Sequence, residues 1–586
     1  MTYACPKQMP NRKGFFLIMV LVVVAVATLA AYSFTDTMLA FDDAANLVGD
    51  QVQTRAVAES AIEMTRLILS QSAEMRDSLG GTFNNPAIFQ AIQVVPATDD
   101  ARSVNFSIVA PAMNEMGRLS GIRYGLRNES SRLNLNALIS LDKNADLLMP
   151  ALNLISGNSA DFTNSLQSRT AISEQDPSQL SLPQSLLMSL PGMTLQIADS
   201  ILDWLDEDSD PRPNGSELEY YSVLPTPYAP KNGPIDSVEE LLLVRGVTPE
   251  LLFGIDSNRN GVVDPAEQQR GLVDATQTSS LGWTSFLTVH GYESNKRRDG
   301  TPKIDVNQDD LEVLYQQLSG VIENPDYSSY IVAFRVGGQS SIAKAATLAS
   351  TGNTPSSSQS SSNPGSTGDK SQQPAGAGGM PQSVNTNIPV WTGDQISKLD
   401  LTGGGTKLTQ ILDLIDSTVT IGGQSYRSPF TSDPLQMASY MPLLMDALST
   451  IEFDKMPGRI NINECPAELL YGVPILEAET VEAILEARAQ ATESENRQYE
   501  TWLLVEGVVT LDTMRTLMPL FTGGGDVFSA QIIAYYETSS TATRLEAVID
   551  ATGVNPRIVS LRDLSHLGRG FDLSVLGLRT LLPSGP

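Results

Sequence analysis

The chain opens with a nearly unbroken apolar run from Phe15 to about Phe34, preceded by Lys7, Arg12 and Lys13. About 20 such residues span a bilayer as a helix, and a basic flank stays cytoplasmic. Residues 35–75 then contain no proline and one glycine, Gly49. Apolar residues recur there at helical spacing: Met38, Phe41, Leu47, Val48, Val52, Val57, Ile62, Leu67 and Leu69. The pattern predicts one long helix over 15–75, greasy at first and amphipathic afterwards, that leaves the membrane and enters a soluble domain.

Three fates fit such a start. A secretory signal peptide would be cut after Ala25-Val26-Ala27. A plain anchor would stay whole. A pilin-type leader would be cut between Gly14 and Phe15, and Lys13-Gly14-Phe15-Phe16 resembles a prepilin peptidase site. The long uninterrupted helix favours the third. Most pilins carry glutamate as the fifth residue after the cut; Met19 stands there instead, and no acidic residue precedes Asp36.

Further along, period-two alternation predicts strands at 102–109 and 121–126. A three-copy pattern follows: Arg132-Leu133-Asn134-Leu135-Asn136, Lys303-Ile304-Asp305-Val306-Asn307 and Arg459-Ile460-Asn461-Ile462-Asn463. Each reads as a short strand leading to a helix, with the closing Asn placed to satisfy free amides at that helix's start. Helices are expected at Met193–Leu205, at 238–244 behind a Ser237 cap, and as a pair over 467–490 around Gly472-Val473-Pro474. Residues 283–290 and 329–336 read as strands. Residues 345–390, rich in Ser, Gly and Pro, lack a packable apolar set and read as a linker. Strands at 527–536, 543–549 and 557–561 suit an antiparallel meander.

Composition narrows the function. With 67 acidic against 38 basic residues in 586, the net charge of −29 disfavours a phosphate partner. Two cysteines, Cys5 and Cys465, lie on opposite sides of the apolar run in sequence, and Cys465 reads as an unpaired structural thiol. Two histidines, His290 and His566, leave no His-rich metal site. No Ser-His-Asp arrangement, zinc spacing or phosphate loop stands out, so no enzyme is expected.

Calcium is the chemistry the acidity suggests. Residues 256–267 place Asp256, Asn258, Asn260, Asp264 and Glu267 at positions 1, 3, 5, 9 and 12 of a calcium loop, with Gly261 at 6 and the Val262 carbonyl at 7. A second acidic group runs through Asp203, Asp206, Glu207, Asp208 and Asp210 to Glu217 and Glu219. Its bland reading is a solvated charge run. Paired carboxylates also serve glycoside hydrolysis, but no aromatic sugar cleft accompanies them.

Asp203-Trp204-Leu205-Asp206, Pro211-Arg212-Pro213-Asn214-Gly215-Ser216-Glu217, Tyr221, Tyr228, Lys231-Asn232-Gly233-Pro234 and 237–247 together resemble the general secretion pathway protein K family, minor pseudopilins of type II secretion. So do the Asn-x-Asn joints and the leader without its glutamate. The resemblance implies an α+β fold: a long pilin-type helix and a pilin-like antiparallel sheet, with an inserted all-helical domain of helix-hairpin-helix or SAM-like kind. It implies structural calcium held by Asp203, Asp206, Asp208 or Glu217, and no catalytic role. It also implies a tip complex with other minor pseudopilins that initiates the filament and supports export across the outer membrane. Processing by prepilin peptidase at Gly14 and Phe15, methylation of the new amine, and contact with the inner-membrane platform and secreted substrates follow from the same resemblance. The chain would be single-pass in the inner membrane with its body in the periplasm.

The chain departs from the family in its length, its third joint, its linker and the 256–267 loop, and the extra part reads as a duplicated helical unit. The expected layout is leader 1–14, helix 15–75, first head segment 76–136, helical insert 137–282, strand-containing segment 283–344, linker 345–390, second helical unit 391–524 and β meander 525–586. Two rivals remain. One is a competence-type DNA-binding protein using the 467–490 hairpin, which Glu477, Glu479, Glu482 and Glu486 oppose. The other is an anchored calcium-binding adhesin.

Overall fold

The computed structural model describes residues 13–96, 102–143, 180–271, 281–338, 388–403, 405–453, 455–490, 494–537 and 541–577. Cys5, Lys7, Arg12, the rest of the leader before Lys13, and residues 345–387 of the expected linker lie outside them.

Helix α1 (Lys13–Leu69) is continuous over 57 residues. From Phe16 to Gly49 it is exposed on all sides. Burial begins at Thr54 and continues through Val57, Ala58, Ala61, Ile62, Thr65 and Leu69, one stripe at helical spacing. Met38, Phe41, Leu47, Val48, Val52 and Leu67, expected on the packed face, are exposed instead. The stripe is built partly from small residues, Ala58 and Ala61, which let α1 lie close against the sheet.

That sheet has seven strands: β1 (Ile92–Val95), β2 (Val104–Met113), β3 (Leu119–Tyr124), β4 (Arg127–Asn128), and, from the far end of the chain, β15 (Val527–Tyr536), β16 (Ala542–Asp550) and β17 (Arg557–Asp563). The order is β1-β2-β15-β16-β17, with β3 also on β2 and β4 also on β15. Every pairing is antiparallel. Phe106, Ile108, Ile532, Ala534, Leu545, Ala547 and Ile549 form one core with α1. Alternation along strands predicts which side chains point at α1. It cannot predict that β2 pairs with β15, more than 400 residues away.

Between β4 and β15 lies a mostly helical region threaded by two-residue parallel bridges. The Asn-x-Asn joints supply one side of each: β5 (Leu133–Asn134) pairs β6 (Leu287–Thr288), β8 (Ile304–Asp305) pairs β11 (Leu448–Ser449), and β13 (Ile460–Asn461) pairs β14 (Phe521–Thr522). β7 (Tyr292–Ser294) pairs antiparallel with β12 (Lys455–Pro457). A small hairpin, β9 (Thr418–Ile421) with β10 (Gln424–Arg427), completes the strands.

Several local expectations change. The closing asparagines do not cap the next helix. Asn136, Asn307 and Asn463 send their side-chain amides to the remote carbonyls of Ile235, Leu408 and Gly523. The residue two positions earlier does the local work, because its side-chain oxygen reaches the amide two residues on. Residues 329–336 lie in a helix, Pro325–Gly337, started by Asn324. Ser328 to Arg335 are all buried there, so the run reads apolar on every face and its period is hidden. Residues 238–243 form a 3-10 helix without a Ser237 side-chain cap. Residues 283–290 contain a 3-10 turn and the short β6. The 391–524 segment divides: its first part packs with 304–338, and its last part forms its own bridged unit. The 467–490 pair is present as Ala467–Tyr471 and Ala478–Ala489.

A buried ion network anchors the third joint. Arg459 bonds Glu293 at 2.7 Å and Glu500 at 2.8 Å and donates to the Met518 carbonyl at 2.9 Å. Burial works against its charge, but the two carboxylates more than offset that and raise its pKa. Cys465 is buried and unpaired among the described residues, and burial pushes its thiol up to about 11, which leaves it inert.

Candidate functional site

Helix Leu195–Leu205 is capped by Thr194, and everything from Ile197 to Leu205 is buried. Its last turn delivers Asp203 and then Asp206 to the loop 206–217. Asp203 organises that loop. Its carboxylate accepts from the Arg212 amide at 3.2 Å, Arg212 Nη1 at 2.8 Å and the Ser216 amide at 2.7 Å. Gly215 passes so close that a Cβ there would lie 1.8 Å from Asp203 Oδ2, which explains the glycine.

The neighbouring oxygens are different. Asp206 Oδ2 takes Arg212 Nη1 at 2.5 Å, but Asp206 Oδ1 has no hydrogen-bond partner among the described residues. Neither does Glu217 Oε1 or Oε2, or Oδ1 of Asn232. Glu217 is only 4% exposed. Asn232 adopts φ +47, and its side-chain amide donates to the Asp208 carbonyl. Asp208 itself is exposed, its carboxylate turned to the Asp210 amide at 2.9 Å. Burial, then the charges of Asp203 and Asp206, push the Glu217 carboxyl up to about 7. Burial also raises Asp206, against the pull of Arg212.

Buried carboxylate oxygens without donors are costly. Asp206 Oδ1, both Glu217 oxygens and Asn232 Oδ1 are hard oxygens without a well-formed hydrogen bond, and the Asp206 charge and the Asn232 side chain both act on Glu217, so they share one neighbourhood with the donor chemistry of calcium. Among the described residues no group of three or more Asp, Glu, His or Cys is placed to hold a metal. A site here therefore needs the neutral Asn232 oxygen. Of the four acids expected here, Asp203 shapes the loop, Asp206 and Glu217 offer free oxygens, and Asp208 faces solvent. The linear pattern does not single out Asn232 Oδ1, since an Asn-Gly pair signals a turn first.

The loop 256–267 lies between helices Pro249–Phe253 and Pro265–Gly271. Arg259 and Gly261 take φ +55 and +81 to turn it. Asp256 accepts from the amides of Asn260 at 3.0 Å and Gly261 at 2.8 Å. Asn258 accepts from the Asn260 amide, and Asn260 from the Val262 amide, both at 2.9 Å. Glu267 accepts from the amides of Ser257 at 2.9 Å and Asp264 at 3.1 Å. Asp264 takes the side-chain amides of Asn258 and Asn260 at 2.7 and 3.1 Å. Burial pushes Asp256 up to about 6 and also raises Asp264. The loop is docked on the sheet: Arg544 of β16 donates to the carbonyls of Asn258, at 2.8 Å, and Arg259. Asn260 also donates to the Gly570 carbonyl at 2.7 Å. The structure thus brings all six expected loop residues into one turn.

At the other end, Gly14 and Phe15 lie in the first turn of α1, and Met19 is exposed. In the 467–490 hairpin, the Gly472 carbonyl accepts from Ser185 Oγ at 2.9 Å, and a Cβ on Gly472 would meet Ser189 at 2.8 Å. The turn that a DNA-binding hairpin offers to phosphate is packed against helix Leu182–Met188.

Residues 131–255 match the family model described as type II secretion system (T2SS), protein K. The match covers this segment and not the rest of the chain. It contains the first joint, Asp203, Asp206, Glu217 and Asn232, and it ends one residue before the 256–267 loop. A solved structure, the GspK-GspI-GspJ complex from the enterotoxigenic Escherichia coli type 2 secretion system, aligns over 88% of this chain and 95% of its own, with 10% identity and a TM-score of 0.31. A TM-score that low fixes neither topology nor interface, so the protein K assignment rests on residues 131–255. No curated protein matches the chain.

Proposed function

We propose that this chain is a minor pseudopilin of a type II secretion system, standing at the pseudopilus tip, where it starts filament assembly and supports export. The observation that carries the proposal is a combination. A 57-residue helix has an apolar, fully exposed first half and a second half packed on an antiparallel sheet. The protein K segment is inserted into that same sheet, between β4 and β15. The exposed half of α1 waits in the inner membrane and passes into the filament core, with the body in the periplasm. Prepilin peptidase cuts between Gly14 and Phe15, the freed amine is methylated, and the inner-membrane platform adds the subunit. Partners are other minor pseudopilins. Met19 in place of the usual glutamate suits a subunit with nothing above it, and the bulky helical region blocks addition there.

Structural calcium belongs to the same proposal. Asp206, Glu217 and Asn232 would hold one ion within the loop that Asp203 shapes. Asp256, Asn258, Asn260, Val262, Asp264 and Glu267 would hold another. Bound calcium would supply the positive charge that the buried Glu217 and Asp256 carboxylates lack.

The deciding experiment is the mass of the mature N-terminus from native membranes. A methylated chain starting at Phe15 is expected. A start at Thr28 means a signal peptide and an intact leader means a simple anchor, and either result overturns the proposal in favour of the adhesin.

A further inference from the structure

The three joints share more than a sequence pattern. In each, the polar residue of the short strand accepts from the amide two positions on: Asn134 from Asn136 at 3.1 Å, Asp305 from Asn307 at 2.8 Å, Asn461 from Asn463 at 2.9 Å. The closing asparagine then donates to a distant carbonyl: Ile235 at 2.9 Å, Leu408 at 3.0 Å, Gly523 at 2.9 Å. Both residues of the strand pair in parallel with an apolar residue and a hydroxyl residue: Leu287-Thr288, Leu448-Ser449 and Phe521-Thr522. Each hydroxyl accepts from the amide two positions further: His290 at 3.1 Å, Ile451 at 3.1 Å and Gly524 at 3.3 Å. Four matching interactions recur three times, at sites far apart in the chain.

The middle copy also has a particular place. Its first strand follows β7 and its last precedes β12, and these two arms pair directly, Ser294 opposite Lys455 and Tyr292 opposite Pro457. The chain therefore leaves a two-stranded stem, builds the middle copy and returns to the same stem. An insertion into an existing connection has this form.

We infer that the helical region consists of three copies of one folding unit, and that the middle unit, 304–451, is an inserted module that the rest of the fold does not need. This does not rest on the secretion proposal. The first unit carries the protein K match and the donor-free oxygens around Glu217, and the first and third connect directly to β4 and β15. The middle unit packs its own aromatic core, with Tyr327 stacked on Phe430 at 4.6 Å and Tyr330 and Tyr440 set edge-on to that ring. Its apolar side chains run on into the core of the neighbouring units, and its polar outer contacts are identifiable: helix Pro434–Ala447 lies against 495–505, Asp446 bonds Arg297 and Tyr499, and the carbonyls of Leu412 and Ile415 accept from Arg515 at 3.1 and 3.4 Å.

Two variants of the full chain in detergent test this by hydrogen exchange. Asn307→Asp keeps the side-chain oxygen but loses the donor to Leu408. Exchange should rise roughly tenfold in peptides from 304–338 and 388–451, about the loss of one buried hydrogen bond, and stay unchanged in 180–290. Equal acceleration across all three units, or none, would overturn the separate-unit inference. The second variant replaces 295–454 by Asn-Gly, which closes β7 and β12 as a two-residue hairpin. Protection should persist in the sheet and in 180–271, and fall only where the removed residues made contacts, around 74–77, 495–505 and 512–517. Loss of protection in the sheet or the first unit would show that the middle unit is integral.

Discussion

Asn136 and Ile235 exchange two hydrogen bonds across 99 residues of chain: the asparagine Nδ2 donates to the Ile235 carbonyl, and the Ile235 amide donates to the asparagine Oδ1, each at 2.9 Å. One side chain thus stands in for a strand partner and pins the segment after Gly233 to the start of the helical region. Asn307 does the same with Leu408.

Replacing Asn136 by Leu leaves the Ile235 amide and carbonyl without their partner. The expected cost is about 1–3 kcal/mol, the range for unsatisfied buried polar groups. Urea denaturation of the purified chain checks this. A cost near zero would mean that water replaces the asparagine.

Arg459→Met strands Glu293 and Glu500 without their cation, and about 3–5 kcal/mol should be lost. Arg515→Met removes an ion pair to Asp512, which is 75% exposed, worth at most about 1 kcal/mol, together with its hydrogen bonds to the Leu412 and Ile415 carbonyls, and strands no buried charge, so its loss should be the smaller. The contrast between the two melts is the test. Similar losses would argue against a load on the Arg459 network.

Glu217 and Asp256 make stability fall with rising pH in the absence of calcium. Their folded carboxyls titrate near 7 and 6, above the ordinary carboxylate range. Between the ordinary value and these, the folded chain holds protons that the unfolded chain has released, so unfolding gains ground as pH rises. In chelator, the melting temperature should drop from pH 5 to pH 7, and Glu217→Gln should flatten part of that drop. Calcium at pH 7 should restore it, since the ion supplies the missing charge. A flat profile in chelator removes the argument from these buried carboxylates.

Calcium binding itself is read by titration calorimetry. Extracellular sites of this kind work at about 10⁻⁴–10⁻³ M. Asn232→Ala should weaken the Glu217 site at least about tenfold, about 1.4 kcal/mol, while leaving the 256–267 loop unaffected. Asp208→Ala should change little, because its carboxylate faces solvent. The reverse ranking would move the site to the outer edge of the loop.

Ile62→Ala should destabilise the head by about 2–4 kcal/mol, because Ile62 is 3% exposed against the sheet. Phe41→Ala should leave the melt unchanged, since Phe41 is 66% exposed. Phe41 is on the half of α1 assigned to the filament, so its effect should be seen in assembly, by crosslinking to neighbouring subunits. A destabilised head in the Phe41 variant would contradict the packing of α1.

The sequence by itself determined the local elements. Apolar runs and spacings gave the existence of α1, the β15–β17 meander and the helix around Trp204, because period is a local property; α1 itself ends at Leu69, short of the expected residue 75, and Ser72 caps a separate helix, Ala73–Ser78. The order of ligand-type residues placed the 256–267 turn, since its hydrogen bonds close within twelve positions. Tertiary structure decided what distance along the chain conceals. The closing asparagines hold carbonyls 60 to 101 residues away rather than the next helix. Asn232 joins Asp206 and Glu217 only when the chain folds back. Residues 329–336 are helical because burial on all sides, not an alternating pattern, fixes their conformation. The middle unit proved to be nested in a stem only when β7 was seen to pair with β12. Such pairings depend on which surfaces meet, and a linear pattern of polar and apolar positions records only that a surface exists.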